Sequence, residues 1–226
     1  MLKITSKFQN LSFVGEEKVV MSMIWCQSPG ARFKNISLSM KTANQDAAIY
    51  ITADGVSLKN ITVTDAKGHG LLVANGVTTK VEDCTFSNCE QYGILVQGTA
   101  NISRVSVNRC KRTGVLARGA GAVLVGQQIV SENNEGNGMG CDGFGRLEIT
   151  QCTVQSNKQV GLCVGPNGFL TARSCQVRGN AMHGASLSGG SVALEDCEIR
   201  ESGKLGVLVR AAAEGSTASL SRCRVA

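Results

Sequence analysis

One unit of the sequence reads GLCVGPNGFLTARSCQVRGN at residues 161–180, and its pattern decides the fold. It begins with a glycine and an apolar run, Leu162-Cys163-Val164, and continues to an alternation of polar and apolar residues, Ser174-Cys175-Gln176-Val177. The opening glycine recurs every 21 to 24 residues: Gly70, Gly93, Gly114, Gly138, Gly161, Gly184 and Gly206. Alternation with a period of two is typical of a strand with one buried face, so each unit contains at least two short strands.

The period and the strand pattern together select one repeat architecture. Leucine-rich repeats share the period, but each of their units needs a helix or 3₁₀ segment, and no unit here has helical periodicity. A left-handed β-helix of hexapeptides would show an apolar period of six, which the sequence lacks. We therefore expect an all-β fold, a right-handed parallel β-helix (a solenoid) of about ten coils of 21–25 residues, as a single domain over residues 1–226.

The ten cysteines suit a buried core. Five take the same inward position of the second strand: Cys84, Cys152, Cys175, Cys197 and Cys223. Free cysteine is among the most buried residue types, and the parallel side chains of in-register strands oppose disulfide geometry. We expect mostly unpaired thiols and an intracellular, reducing compartment, with disulfides and a metal site as the alternatives. Cys89 and Cys110 fall at equivalent sites of adjacent coils, and their pairing stays open.

Composition and charge exclude several classes of protein. Hydrophobic residues make up 42% of the chain and charged residues 18%, which favours a folded core, and no apolar run approaches the roughly 20 residues of a spanning helix. Lys3 and Lys7 precede no apolar run of the secretory type. The net charge of +6 is spread over most coils without interleaved aromatics, so we expect neither a nucleic-acid partner nor membrane insertion.

The residue types that carry catalysis are scattered. His69 and His183 each precede a repeat glycine, five coils apart, and are interpreted as exposed turn residues that cannot share a metal ion. Asp142 is expected beside Arg118 of the neighbouring coil. We therefore predict no catalytic residue, no metal and no cofactor, and an enzyme is less favoured than a binding protein.

Two further rows are expected at the turns. The first consists of asparagines that stabilise the bend before the glycine: Asn133, Asn157 and Asn180, with Asn88 one position earlier. Asparagine tolerates left-handed backbone and bonds to its own backbone at turns. The second row contains Asp65, Asn88, Arg109 and Glu132, with an ion pair between Arg109 and Glu132.

The repeats resemble those of the pectate-lyase-like superfamily of right-handed β-helices, and are closest to the short, loop-poor repeats of intracellular carbohydrate-binding/sugar-hydrolase (CASH) domains. The resemblance covers residues 8–226. It implies enzymes that degrade acidic polysaccharides with clustered Asp, Ca²⁺ and Arg, or with paired Asp and a His-Gly. Here no Asp-Asp pair is present, and His69-Gly70 and His183-Gly184 have no acidic partners in the sequence.

The outward residue of the first strand gives the candidate binding site. In five consecutive coils it is large and apolar or aromatic: Trp25, Tyr50, Leu72, Leu95 and Leu116. Such a stripe on an exposed face favours a protein partner or a second copy of the chain. Cover by residues 19–23 and stacking of a sugar on Trp25 and Tyr50 are the alternatives. We expect a non-catalytic binding or scaffold module that docks through this stripe or the open coil ends; the alternative is a carbohydrate-binding or polysaccharide-cleaving protein.

Overall fold

The chain is a right-handed parallel β-helix, as predicted, and the computed structural model describes residues 2–5, 9–40, 46–210 and 216–226. All its regular elements are strands: β1 (Leu2–Ile4), β2 (Ser12–Met21), β3 (Ile24–Cys26), β4 (Arg32–Ser39), β5 (Ala47–Ile51), β6 (Val56–Thr64), β7 (His69–Val73), β8 (Thr78–Glu82), β9 (Thr85–Ser87), β10 (Ile94–Val96), β11 (Thr99–Asn108), β12 (Val115–Arg118), β13 (Val123–Glu132), β14 (Met139–Asp142), β15 (Arg146–Thr150), β16 (Thr153–Gln155), β17 (Leu162–Val164), β18 (Gly168–Arg173), β19 (Gln176–Arg178), β20 (Ala185–Ser188), β21 (Gly190–Glu195), β22 (Glu198–Arg200), β23 (Val207–Arg210), β24 (Thr217–Ser221) and β25 (Arg224–Val225). About nine turns follow one another, against the ten expected.

Two parallel sheets run the length of the solenoid. The first sheet has the strand order β1-β3-β5-β7-β10-β12-β14-β17-β20-β23, and the second runs β2-β4-β6-β8-β11-β13-β15-β18-β21-β24, with β9, β16, β19, β22 and β25 continuing it around a bend. Ile94 pairs with Leu71 on one side and Val115 on the other, so like positions stack on like. These inward side chains are fully buried and form one continuous core.

The second sheet bends at the polar residue that opens the polar–apolar alternation of each unit, which is the position of Ser174. Asn60, Asp83 and Arg104 have φ values of 52° to 54°, in the left-handed region. Asn60 donates to Asn35 across 2.9 Å, and Arg104 forms an ion pair of 2.6 Å with Asp83. The turn chemistry therefore falls at a residue that the sequence analysis placed inside a strand.

The asparagine row is buried and contains the predicted Asn157 and Asn180, whereas its third member is Asn134 and not the predicted Asn133. Asn134, Asn157 and Asn180 are 0%, 0% and 1% exposed, and the Nδ2 atom of each of the first two donates across 2.9 Å to the Oδ1 atom of the next. Asn133, which the sequence analysis placed in this row, is exposed at φ 55°. A buried amide that bridges coils replaces backbone bonds that the turn cannot make, so this row holds the solenoid together from inside.

The predicted ion pair between Arg109 and Glu132 is wrong, because the true register differs from the expected one by one residue. Arg109 donates from Nε to Oδ1 of Asn88 across 3.1 Å. Glu132 instead accepts from Nε2 of Gln155 across 2.6 Å. The register places Glu132 opposite Asn108, one residue before Arg109.

All ten cysteines are unbridged thiols, and eight are buried. Cys152, Cys175 and Cys197 occupy equivalent positions of successive coils, because the residues that follow them pair in register. Each donates its thiol hydrogen to the carbonyl oxygen two residues earlier, at 3.3 Å. Burial raises the pKa of Cys84 and of Cys141 to about 12. These thiols are therefore protonated and unreactive at neutral pH.

Candidate functional site

The predicted stripe lies on the outer face of the first sheet. Register places Trp25 beside Tyr50, Tyr50 beside Leu72, and Leu95 between Leu72 and Leu116. The structure thus brings all five predicted binding residues into one row.

The leucines of this row are not exposed, contrary to the expectation. Leu72, Leu95 and Leu116 are 8%, 6% and 6% exposed and form a second apolar cluster with Ala47 and Tyr92. Coils about 4.8 Å apart let each outward leucine cover its neighbours, and Tyr92 covers the side of the row. A flat apolar docking face is therefore absent along these three coils.

Trp25 and Tyr50 are partly exposed, but their ring faces are already occupied. The two rings stack with centroids 6.0 Å apart and an angle of 21° between their planes. Nζ of Lys3 lies 4.2 Å from the centroid of Trp25. Tyr50 and Lys3 therefore leave neither face of Trp25 for a sugar to stack on.

A second row runs beside the stripe and contains both histidines. His69 is half-buried and His183 is 7% exposed, so the prediction of exposed turn residues is wrong. Nδ1 of each ring accepts a bond of 3.3 Å from the backbone N–H of the equivalent residue in the next coil, Tyr92 or Leu205. Asn137 does the same with its side-chain oxygen for Val160, at 3.1 Å. These side chains take the place of a backbone acceptor.

Tyr92 is the centre of a polar cluster on this face. Its ring stacks on that of His69 with centroids 5.2 Å apart, and its hydroxyl oxygen accepts a bond of 3.3 Å from Nη1 of Arg118. Arg118 donates from Nε and Nη2 to the two carboxylate oxygens of Asp142, each at 2.8 Å. The guanidinium carbon of Arg112 lies 5.6 Å from the centroid of Tyr92.

The charges in this cluster follow from these contacts. The bond with Asp142 raises the pKa of Arg118, which stays a cation. Burial lowers the pKa of His69, with Asp46 opposing and Arg112 and Arg118 supporting the shift. His69 is therefore neutral at pH 7, with its proton on Nε2 because Nδ1 is an acceptor.

A depression of about 90 Å³ lies next to Arg118. Its lining comprises Thr113, Leu116, Arg118, Asn137, Gly140, Cys141, Asp142, Cys163 and Gly165. The depression exists because the outward residue of the first sheet is Leu116 in one coil and Gly140, which has no side chain, in the next. A Cβ atom on Gly140 would lie 2.7 Å from the carbonyl oxygen of Cys163, so only glycine fits there. Arg118 also borders a second cavity of about 210 Å³, with Asn75 and Gln97.

The sequence identified part of this site and missed the rest. Asp142 was correctly placed beside Arg118, whereas Tyr92 and Arg112 were overlooked. Tyr92 directly precedes Gly93, as His69 precedes Gly70, and this shared position was the available signal. No group of three or more potential metal ligands occurs within the described ranges.

Comparison with known proteins identifies the family. The description "Right handed beta helix region" matches residues 47–193, more than half of the chain, which therefore belongs to this family. No curated protein sequence matches the chain. No helix in the described part is long and apolar enough to cross a membrane.

Several solved structures share this fold. A double mutant of the periplasmic alginate epimerase AlgG has a TM-score of 0.74 at 11% identity, over 96% of this chain and 68% of that one. The A-module of the Azotobacter vinelandii mannuronan C-5 epimerase AlgE6 has a TM-score of 0.76 at 13% identity, over 88% and 61%. Pectate lyase Pel9A has a TM-score of 0.60 at 12% identity, over 92% and 66%. The chain spans about two thirds of their length, and identities this low show a shared fold alone.

Proposed function

We propose that the chain is a carbohydrate-binding β-helix whose saccharide lies across the outer face of the first sheet, at Tyr92, Arg118 and Asp142. The observation that carries the proposal is the fixed Arg118–Asp142 pair at the edge of two depressions. The polysaccharide enzymes that share the fold support the same class of ligand.

The pair is organised in advance for hydroxyl groups. Three of the five guanidinium N–H groups of Arg118 bond to Asp142 and Tyr92, and the other two stay available. Each carboxylate oxygen of Asp142 can accept a further bond. Because these bonds already hold the side chains, a ligand that donates and accepts at once binds with little loss of side-chain entropy.

The cavity volumes indicate how the ligand lies. The smaller depression, about 90 Å³, has room for a few water molecules, so it takes one ring substituent. The larger cavity of about 210 Å³ lies on the other side of Arg118. A saccharide that rests on the sheet and inserts one substituent beside Gly140 fits both.

The local charge favours a neutral or weakly acidic saccharide. Asp142 balances Arg118, His69 is neutral, and Arg112 adds one cation beside Tyr92. The α-1,3-glucanase catalytic domain that shares the fold was solved with tetrasaccharides, which supports this choice.

Binding is favoured over cleavage. Glycoside hydrolysis by acid and base uses two carboxyl groups about 5–9.5 Å apart. Asp142 is the only carboxylate among the residues that line the smaller depression, and Arg118 holds both of its oxygens.

The test is a screen of neutral and acidic oligosaccharides, followed by calorimetric titration of any ligand. Arg118→Gln should weaken binding at least tenfold, about 1.4 kcal/mol, because the pair and the Tyr92 contact are lost together. Arg104→Gln breaks an equivalent pair with Asp83 on the second sheet and should leave binding unchanged. A wild-type chain that binds no saccharide, or equal loss in both variants, contradicts the proposal.

A further inference from the structure

One inward position of the β-helix carries a cysteine in four successive coils. We call these four residues the sulfur row: Cys152, Cys175, Cys197 and Cys223. They share one position because the residue after each pairs in register with its counterpart in the next coil. The three coils before the row have Cys84, Val105 and Ile129 at this position, so Cys84 has no sulfur above or below it.

The sulfur row leads from the surface into the core. Cys152, Cys175 and Cys197 are buried, whereas Cys223 is partly exposed. All four are free thiols. An ion that meets Cys223 from solvent therefore has a sulfur of the next coil directly behind it, and a further two sulfurs deeper along the same row.

The stacking of the thiols suits a bridging metal ion better than a disulfide. Parallel side chains on stacked coils oppose the dihedral angle that a disulfide requires. Coils are about 4.8 Å apart, and two metal–thiolate bonds of about 2.3 Å placed in line span about 4.6 Å. A cation midway between two neighbouring sulfurs therefore bonds to both without movement of the backbone, and it lies roughly perpendicular to both Cβ–Sγ bonds.

We infer that the sulfur row binds Cu(I), a soft cation that accepts two ligands in line, between neighbouring thiolates. Thiolate is the type of ligand that Cu(I) prefers. Structural zinc takes four ligands at the corners of a tetrahedron, whereas each neighbouring pair of the row supplies two. The step involves no oxidation or reduction: two thiols each release a proton to water, and the cation forms one bond to each sulfur.

The pair of Cys152 and Cys175 has a donor that stabilises the bound form. One Cu(I) between two thiolates leaves a single negative charge in the core. The backbone N–H of Ile129 donates to Sγ of Cys152 across 3.4 Å, and a hydrogen bond to an ionised acceptor is stronger than one to a neutral acceptor. Contact with the Cys175 thiol and this N–H lower the pKa of Cys152 against the effect of burial. Cys152 is therefore the thiol of the row that most readily gives up its proton.

The experiment supplies Cu(I) without oxygen, as its coloured complex with bathocuproine disulfonate, and native mass spectrometry counts the ions that the chain takes up. In the double variant Cys175→Val, Cys223→Val, the remaining thiols of the row, Cys152 and Cys197, lie two coils or roughly 10 Å apart, too far for one ion to bridge. We expect this variant to bind at least one Cu(I) fewer per chain than the wild type. Valine suits the position because Val105 already occupies it in an earlier coil.

The matched control removes two buried thiols that have no cysteine above or below them. It is the double variant Cys26→Val, Cys84→Val, since Cys26 lies between Ile4 and Ile51. The control should bind as many Cu(I) ions as the wild type. Cys89 and Cys110, a stacked pair elsewhere in the chain, are unchanged in both variants, so any ion that they bind cancels from the comparison.

The outcomes distinguish a metal site from thiols that only fill the core. Equal numbers of bound ions in the wild type and in the sulfur-row variant, or equal loss in both double variants, would overturn the inference. Far-UV circular dichroism of the copper-loaded wild type should remain that of the folded chain, and loss of this spectrum would also overturn it, because the ion would then have bound an unfolded chain. The sulfur row lies inside the solenoid, so Arg118→Gln should take up Cu(I) as the wild type does, whether or not the first sheet binds a saccharide.

Discussion

Replacement of Asn157 by alanine tests the internal asparagine row most severely. Oδ1 of Asn157 accepts from the backbone N–H and from Nδ2 of Asn134, at 3.0 and 2.9 Å. Its Nδ2 donates to the carbonyl oxygen of Ser131 at 3.1 Å and to Oδ1 of Asn180 at 2.9 Å. The alanine variant leaves at least two buried groups, the N–H of Asn134 and the carbonyl of Ser131, without these partners. At about 1–3 kcal/mol for each, we expect a loss of about 2–6 kcal/mol in the free energy of unfolding.

Urea denaturation followed by far-UV circular dichroism measures this loss. The matched control is Asn133→Gly, which lies next to the row, is exposed, and keeps a residue that tolerates φ 55°. It should change the free energy of unfolding by less than about 1 kcal/mol. A loss below about 1 kcal/mol for Asn157→Ala, or equal losses in the two variants, would refute the reasoning.

Three further predictions concern pH, the depression and the thiols. Because the pKa of His69 is lower in the folded chain, the free energy of unfolding should fall as the pH drops from about 7.5 through the unfolded pKa of about 6.5 and then level off. His69→Asn, which keeps an acceptor as Asn137 does, should lose this fall in stability when melting is followed against pH. If the fall persists in the variant, His69 is not its source. Gly140→Ala should cost about 1–3 kcal/mol and weaken saccharide binding, because its Cβ meets the carbonyl of Cys163; unchanged melting and binding would be inconsistent with the close approach. Maleimide labelling of the native chain should reach Cys163 and Cys223, the two partly exposed thiols, and intact mass should show all ten labelled only in denaturant; modification of native Cys84 would argue against its burial.

The fold was predictable because the repeat supplies the same information many times. Gly70, Gly93 and Gly114 fix the period, and the apolar runs after them fix which face is inward. The register within a coil was harder to predict, because the bend of the second sheet falls within a stretch whose polar–apolar alternation looks like one continuous strand. Asn133 and Asn134 are adjacent amides, and only the left-handed φ at Asn133 decides that Asn134 points inward.

The candidate site was predictable only in part, because exposure depends on neighbours in other coils. Leu95 is outward in its own strand, yet Leu72, Leu116 and Tyr92 cover it. Asp142 and Arg118 could be paired from their equal positions in successive coils. Tyr92 joins them through a hydroxyl that reaches across from the neighbouring row, and no spacing in the sequence encodes that contact.

Mapping of a saccharide by amide chemical shifts tests the central claim most directly. With the tightest neutral oligosaccharide of the screen, we predict shifts that cluster at Tyr92, Arg118, Gly140 and Asp142 and are lost in Arg118→Gln. Shifts confined to the last coil or to the second sheet, or shifts that persist in that variant, would contradict the placement of the ligand on the first sheet.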